Sequence, residues 1–155
     1  MYLSKNKFLI IILLLLIIVL TGCNKTMAND IKVEDIFNQE EQYLIYFYKN
    51  KCPYCEACED VIDEYIKNQE GPIKLYTCNL TKSEIKRYYE GENGQGSKGQ
   101  YFVNGVNDYN ELYIAGVPTI IKVYLDQDQK ISEYVISGKT KVIDYITSLQ
   151  DLSQE

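Results

Sequence analysis

The chain has 155 residues, a formal charge of −6, five cysteines and fifteen tyrosines, and it lacks both histidine and tryptophan. Without histidine there is no imidazole base, no Cys–His nucleophile pair and no histidine-containing metal site. The acidic balance argues against nucleic acid as a partner and against electrostatic docking on anionic lipid.

Lys5 and Lys7 precede an uncharged apolar run of thirteen residues, Phe8 to Leu20. That pattern suits a secretory leader and falls short of the roughly 20 residues a spanning helix needs. Leu20-Thr21-Gly22-Cys23 follows and resembles the lipobox of bacterial lipoproteins. The resemblance implies cleavage before Cys23 and a diacylglycerol on its sulfur; the alternative is an uncleaved signal anchor. The expected divisions are therefore a signal peptide over residues 1–22, a lipidated cysteine with a flexible tether over 23–30, and one folded domain over 31–155. Losing two lysines and no acids takes the formal charge from −6 to −8. About 125 residues suffice for a single core. The expected location is the extracytoplasmic face of a bacterial cell membrane, held there by lipid, where disulfides are permitted.

Within the domain, Ile31 to Gln39 suggests a short edge strand running into a helical turn at Asp35-Ile36-Phe37. "YLIYFY" (43–48) is continuously apolar and aromatic, as a strand buried on both faces must be. From Pro53 the period changes. Cys55, Cys58, Ile62, Tyr65 and Ile66 recur at spacings of three and four, with Glu56, Glu59, Asp60, Asp63 and Glu64 on the opposite side of one helix. Gly71-Pro72 ends that unit and "IKLYT" (73–77) alternates like a strand. "TKSEIKRYY" (81–89) reads as a helix, with Thr81 and Glu84 as a capping box. "GENGQGSKG" (91–99) is a surface loop, since no Gly-Lys-Ser/Thr follows in register to make it a phosphate loop. Asp108 to Ala115 suggests a short helix closing at Gly116. "PTIIKVYL" (118–125) and "ISEYVI" (131–136) are strands joined by the turn "DQDQ", and Lys139 to Leu149 is an amphipathic helix.

"NKCPYCEACED" (50–60) places three cysteines at the junction of the buried strand and the helix. Free N–H groups and the helix dipole at such an N-terminus stabilise a thiolate. Cys52 is then the outer, attacking sulfur, with Lys51 beside it to tune its pKa. Cys55, one turn on, is the sheltered, resolving sulfur. Pro53 stiffens the turn between them. A zinc site recruiting Cys78 is a rival, but a third ligand one turn further along a regular helix points away from a tetrahedral centre. A set of structural disulfides is the other rival. No metal is expected, and no cofactor beyond the redox-active Cys52–Cys55 disulfide itself.

Gly116-Val117-Pro118-Thr119 precedes the next strand. A strand–CxxC–helix unit followed by "GVPT" resembles the thioredoxin superfamily over residues 31–150. The resemblance implies an α/β thioredoxin fold with a central mixed β-sheet flanked by helices. It implies Cys52 as nucleophile, Cys55 as resolving cysteine and Pro118 as a cis-proline. Val117 then offers its backbone to an extended substrate peptide, with Pro53 and Tyr54 beside it. Tyr46 falls where thioredoxins keep a buried aspartate, and "CPYC" is the glutaredoxin dipeptide without that family's glutathione contacts. The "FY…CPYC…GVPT" outline with a lipobox is similar to the group called bacteriocin transport accessory proteins.

Cys58 and Cys78 are either buried small hydrophobes, the reading favoured here, or a second disulfide or reserve pair exchanging with Cys52–Cys55. The expected function is an extracytoplasmic thiol–disulfide oxidoreductase acting on exported cysteine-containing proteins and served by a membrane redox partner. Acidic residues around Cys52 tilt it slightly towards reduction or isomerisation. It is expected to be a monomer. The alternative is a non-catalytic accessory module of the same fold, docking on a peptide export complex. Copper delivery would need a histidine or methionine partner that the mature chain barely provides.

Overall fold

All six residues of β1, Tyr43–Tyr48, are buried, and they divide by alternation between two cores. Leu44, Tyr46 and Tyr48 face one; Tyr43, Ile45 and Phe47 face the other. The computed structural model describes residues 26–68, 71–81, 85 and 103–152. Its further elements are α1 (Pro53–Glu56), α2 (Glu59–Asn68), β2 (Lys74–Asn79), β3 (Thr119–Asp126), β4 (Gln129–Ser137) and α3 (Lys139–Leu152). The strands lie in the order β2-β1-β3-β4. β2 runs parallel to β1, which the intervening helices make possible, while β1–β3 and β3–β4 are antiparallel.

Ile62, Tyr65 and Ile66 of α2 and Val142 and Ile146 of α3 bury one helical layer against the Leu44–Tyr46–Tyr48 face. Among the described residues the opposite face is covered by non-helical chain: Ile36, Leu80, Val103, Leu112 and Ile114. The β3–β4 turn carries positive φ at Gln127 (45°) and Asp128 (70°), the pattern of a two-residue turn whose twist matches its strands. Opposite Ile120 and Ile121, β4 offers Ile136 and Tyr134, so Val135 is the extra residue of a bulge.

Several segments depart from the sequence expectations, each for a local reason. The edge strand over 31–39 reduces to a single parallel bridge between Asp30 and Thr77, after which Val33–Asp35 winds into a 3₁₀ turn. That turn seats Ile36, whose carbonyl accepts from the Tyr43 hydroxyl at 2.6 Å. The tether also ends earlier than residue 30. Met27 is buried in the helix-side core and its N–H donates to the Tyr48 hydroxyl at 3.2 Å. Asn29 and Ile31 then bond to Thr77 on either side of the bridge, through Thr77 N–H to Asn29 O at 3.1 Å and Ile31 N–H to Thr77 O at 2.8 Å. The domain therefore starts near Met27, not at residue 31.

Asp108–Ala115 is not a helix but a 3₁₀ turn at Tyr109–Glu111, capped by the Asp108 side chain. Beyond it Leu112 and Ile114 are buried in alternation with more exposed Tyr113 and Ala115, a period-two demand that a helix cannot meet. The expected helix over 81–89 lies outside the described residues apart from Thr81 and Ile85, and the loop over 91–99 lies wholly outside them.

The expected single helix after Pro53 is broken into α1 and α2 at Ala57-Cys58. The Cys58 N–H bonds to Cys55 O at 3.0 Å rather than to Tyr54 O one residue earlier. The Tyr54 carbonyl is taken instead by the Cys58 thiol at 3.3 Å. Side-chain donation to the preceding turn is a recognised cause of helix bending.

Candidate active site at the cysteine pair

Phe47 near the end of β1 pairs with Thr119 at the start of β3. The loop that leaves β1 towards Cys52 and the Val117-Pro118 segment that enters β3 therefore meet at the same end of the sheet. Cys52 and Val117 both pack on the helix-side core.

Cys52 is the N-cap of α1, with extended backbone (φ −102°, ψ 107°) and Pro53 in the first turn behind it. Proline suits that position because the N–H it lacks would have no helical partner. The Cys52 carbonyl accepts from Cys55 N–H at 2.9 Å and Glu56 N–H at 3.0 Å. The Cys55 N–H also lies 3.3 Å from the Cys52 sulfur. Cys52 and Cys55 are joined as a disulfide with Cα atoms 5.2 Å apart. Cys52 is half-buried whereas Cys55 is only 2% exposed, so one sulfur is outer and the other inner. Lys51 is exposed at positive φ (59°) in the turn before Cys52.

The Val117–Pro118 peptide bond is cis. Pro118 is buried, and its carbonyl is held by Gly138 N–H at 2.9 Å. Gly138 has φ +94°, a conformation glycine adopts without strain. The Thr119 hydroxyl donates to Gly116 O at 2.8 Å, which closes the turn. Among the described residues, the Val117 N–H and C=O make no hydrogen bond. On the other side of the cysteines, Pro53 is exposed and Tyr54 is 64% exposed. The expected contact residues thus lie at one end of the sheet, Pro53 and Tyr54 in the first turn of α1 and Val117 and Pro118 on the segment entering β3.

Beneath the pair lies a polar arrangement whose position the sequence shows but whose partners it does not. Tyr46 is fully buried and its hydroxyl donates to Cys55 O at 3.4 Å. Burial drives the Tyr46 pKa far up, and the neighbouring Cys58 sulfur pushes the same way. Burial likewise raises the Cys58 pKa, while the hydroxyl of Tyr46 and then the charge of Lys139 pull it back. The Cys58 thiol also lies 3.7 Å from the Lys139 carbonyl.

The second disulfide does not exist here. Cys58 packs with the helices on one face of the sheet, Cys78 packs on the other, and both are free thiols. The alternation of β2 explains this, because Cys78 shares its face with Tyr76 whereas Leu75 points to the helices. Burial first, then the charges of Asp30 and Glu34, push Cys78 up to about 12. Among the described residues no group of three or more histidine, cysteine or acidic side chains is placed to hold a metal. No described helix is long and apolar enough to cross a membrane, and Cys23 lies outside the described residues.

Fold and site together define a class: an α/β domain with a central mixed β-sheet, a CxxC disulfide at the strand–helix junction and a cis-proline at the same end of the sheet, the arrangement that the thioredoxin resemblance implies. The chain is similar in structure to an uncharacterized thioredoxin-like protein from Clostridium perfringens, at 16% identity, covering 84% of this chain and 90% of that one with TM-score 0.37. It is likewise similar to the first thioredoxin domain of mouse protein disulfide-isomerase A4, at 16% identity, covering 86% of each chain with TM-score 0.40. No family model and no curated protein matches the chain.

Proposed function

We propose that this protein is a thiol–disulfide oxidoreductase. Its lipid anchor at Cys23 holds it on the outer face of a bacterial membrane, and its substrates are exported cysteine-containing proteins. The division of the pair into a half-buried outer sulfur and a buried inner one, with the Cys55 N–H 3.3 Å from the Cys52 sulfur, carries the reading. When the bond opens, that N–H stabilises negative charge on Cys52.

In the reducing direction the Cys52 thiolate attacks a substrate disulfide, forms a mixed disulfide and expels one substrate thiolate. Cys55 loses its proton and attacks the Cys52 sulfur. The second substrate thiolate leaves, and the Cys52–Cys55 bond closes. Oxidation of a substrate dithiol is the same sequence reversed. An extended substrate segment pairs with the Val117 backbone, and the Tyr54 ring covers its flank. A membrane redox partner then resets the pair.

Acidic Glu56 in the first turn and a helix only four residues long before its break both limit thiolate stabilisation at Cys52. They favour the reducing or isomerising direction. The test is equilibration of the full-length protein, in detergent, with glutathione buffers. A Cys52–Cys55 potential near about −270 mV marks a reductase, and one near about −120 mV an oxidant. Absence of reversible exchange would remove the enzymatic reading and leave a docking module of the same fold.

A further inference from the structure

The sequence Cys52-Pro-Tyr-Cys55-Glu-Ala-Cys58 contains two overlapping CxxC units that share Cys55. Two consecutive turns of the same kind build them. Cys55 N–H bonds to Cys52 O at 2.9 Å, and Cys58 N–H bonds to Cys55 O at 3.0 Å. The first turn sets the Cα atoms of a disulfide 5.2 Å apart. A second turn of that form brings Cys58 within the Cα separation of about 4.4–6.8 Å that disulfides accept.

We propose that Cys58 is a third exchanging sulfur, able to displace Cys52 from Cys55 and leave a Cys55–Cys58 disulfide with Cys52 free. Three observations support it. Cys55 and Cys58 are buried in the same core on the same face of the sheet. The Cys58 thiol points back over the turn that contains Cys55, donating to Tyr54 O at 3.3 Å. The chain is broken between α1 and α2 at Cys58 itself, so the backbone there is not locked into a continuous helix. Cys52 precedes Cys55 by one turn and Cys58 follows it by one turn. Attacking and leaving cysteines thus lie one turn to either side of Cys55 along the chain.

The step is an isomerisation and needs no outside oxidant. Cys58 gives up its proton and its sulfur attacks the Cys55 sulfur. The Cys52–Cys55 bond breaks, the electron pair leaves on Cys52, and a proton from solvent can follow it there. The Tyr46 hydroxyl, bonded to the Cys55 carbonyl and near enough to Cys58 to pull its pKa down, stabilises the attacking thiolate. Burial disfavours that thiolate, which makes the exchange slow. The consequence for catalysis rests on the oxidoreductase reading above: in the shifted form Cys52 can capture a substrate while Cys55 is unable to resolve it, which prolongs the mixed disulfide.

The test is alkylation of the oxidised full-length protein with N-ethylmaleimide under native conditions, followed by acid quenching and peptide mass analysis without reduction. Trypsin releases residues 52–67 as one peptide carrying all three cysteines. The expected result is slow accumulation of label on Cys52, with Cys55 and Cys58 joined, in the wild type and not in Cys58→Ala or Cys58→Ser. A Cys52→Ser chain treated with oxidised glutathione should yield the same peptide lighter by two hydrogens and unlabelled. Label confined to Cys58 in the wild type, or glutathione left on Cys55 of Cys52→Ser, would overturn the proposal. Reversible oxidation of the Cys52–Cys55 pair in Cys58→Ser tests the oxidoreductase reading separately, since Cys58 plays no part in it.

Discussion

Cys78 lies fully buried on the non-helical face of the sheet, and its thiol is pushed from an ordinary 9.0 up to about 12. The native state therefore holds the neutral thiol more tightly than the unfolded chain does. The contribution to stability is complete below about pH 9, where both states keep the proton. It declines as pH rises from about 9 to about 12, because the unfolded chain ionises first, and then levels off. Three units at about 1.4 kcal/mol each amount to roughly 4 kcal/mol, of which about 3 kcal/mol is lost by about pH 11. Tyr43, also pushed up to about 12, contributes in the same window, so the quantity to measure is a difference. Urea unfolding of wild type and Cys78→Ala, both fully reduced, should be followed from about pH 8 to about pH 11. Removing the thiol costs a pH-independent amount for the space it leaves, so the variant is less stable at neutral pH. The gap should close by about 3 kcal/mol across the range. A gap that stays constant would mean Cys78 ionises as easily in the folded protein as outside it, and the burial argument would fail.

The remaining predictions concern the entry of the chain, one turn and the arrangement beneath the site. Met27→Ala should destabilise by about 2 kcal/mol or more in a urea melt, whereas a free tether over 23–30 would leave the midpoint unmoved. Gly71→Ala should cost roughly 1–3 kcal/mol, since a Cβ there collides with the Tyr65 ring that the Ile73 carbonyl holds in place at 2.6 Å. An unchanged melting temperature would show that the ring moves aside freely. Tyr46→Phe should cost about 1 kcal/mol and slow the alkylation of Cys58 in native protein, because the thiolate loses its hydroxyl partner. Equal alkylation rates would break the link between the two groups.

β1 was legible in the sequence because burial on both faces leaves a continuous apolar run that no other element needs. The site was legible for a related reason: a CxxC after such a strand and a Gly-Val-Pro-Thr before another are short and locally determined. What the sequence could not show depends on contacts between distant segments. The Asp30–Thr77 bridge and the docking of Met27 on Tyr48 bring together residues far apart in the chain, so nothing local in "NKTMAND" announces them. The break in the helix at Cys58 was hidden as well. The three-and-four spacing of Cys55, Cys58 and Ile62 survives a kink, and only the choice of Tyr54 O as the partner of the Cys58 thiol reveals it. Of the two readings of Cys58 and Cys78, the disulfide failed on a parity argument available at strand level, and the buried small hydrophobe held. β2 alternates, and once Leu75 is assigned to the helices, Cys78 belongs to the other face.

That parity gives each of the four described cysteines its own environment. Cys52 is half-exposed at the mouth of the site, Cys55 is shielded one turn in, Cys58 is sealed between α2 and the sheet, and Cys78 is beyond the sheet altogether. Exchange requires both a thiolate and a clear line to the sulfur attacked. Cys78 lacks both. Cys58 lies one turn from Cys55 in the same core and meets the cost of ionising in a buried place. The Tyr46 hydroxyl offsets part of that cost without bringing in a second charge. A carboxylate at the same position would repel the thiolate of Cys58. Tyrosine at 46 is therefore compatible with a third sulfur at 58 in a way that an ionised aspartate is not. The Tyr46→Asp substitution should accordingly suppress label at Cys52 in native alkylation even where the Cys52–Cys55 pair still exchanges with glutathione.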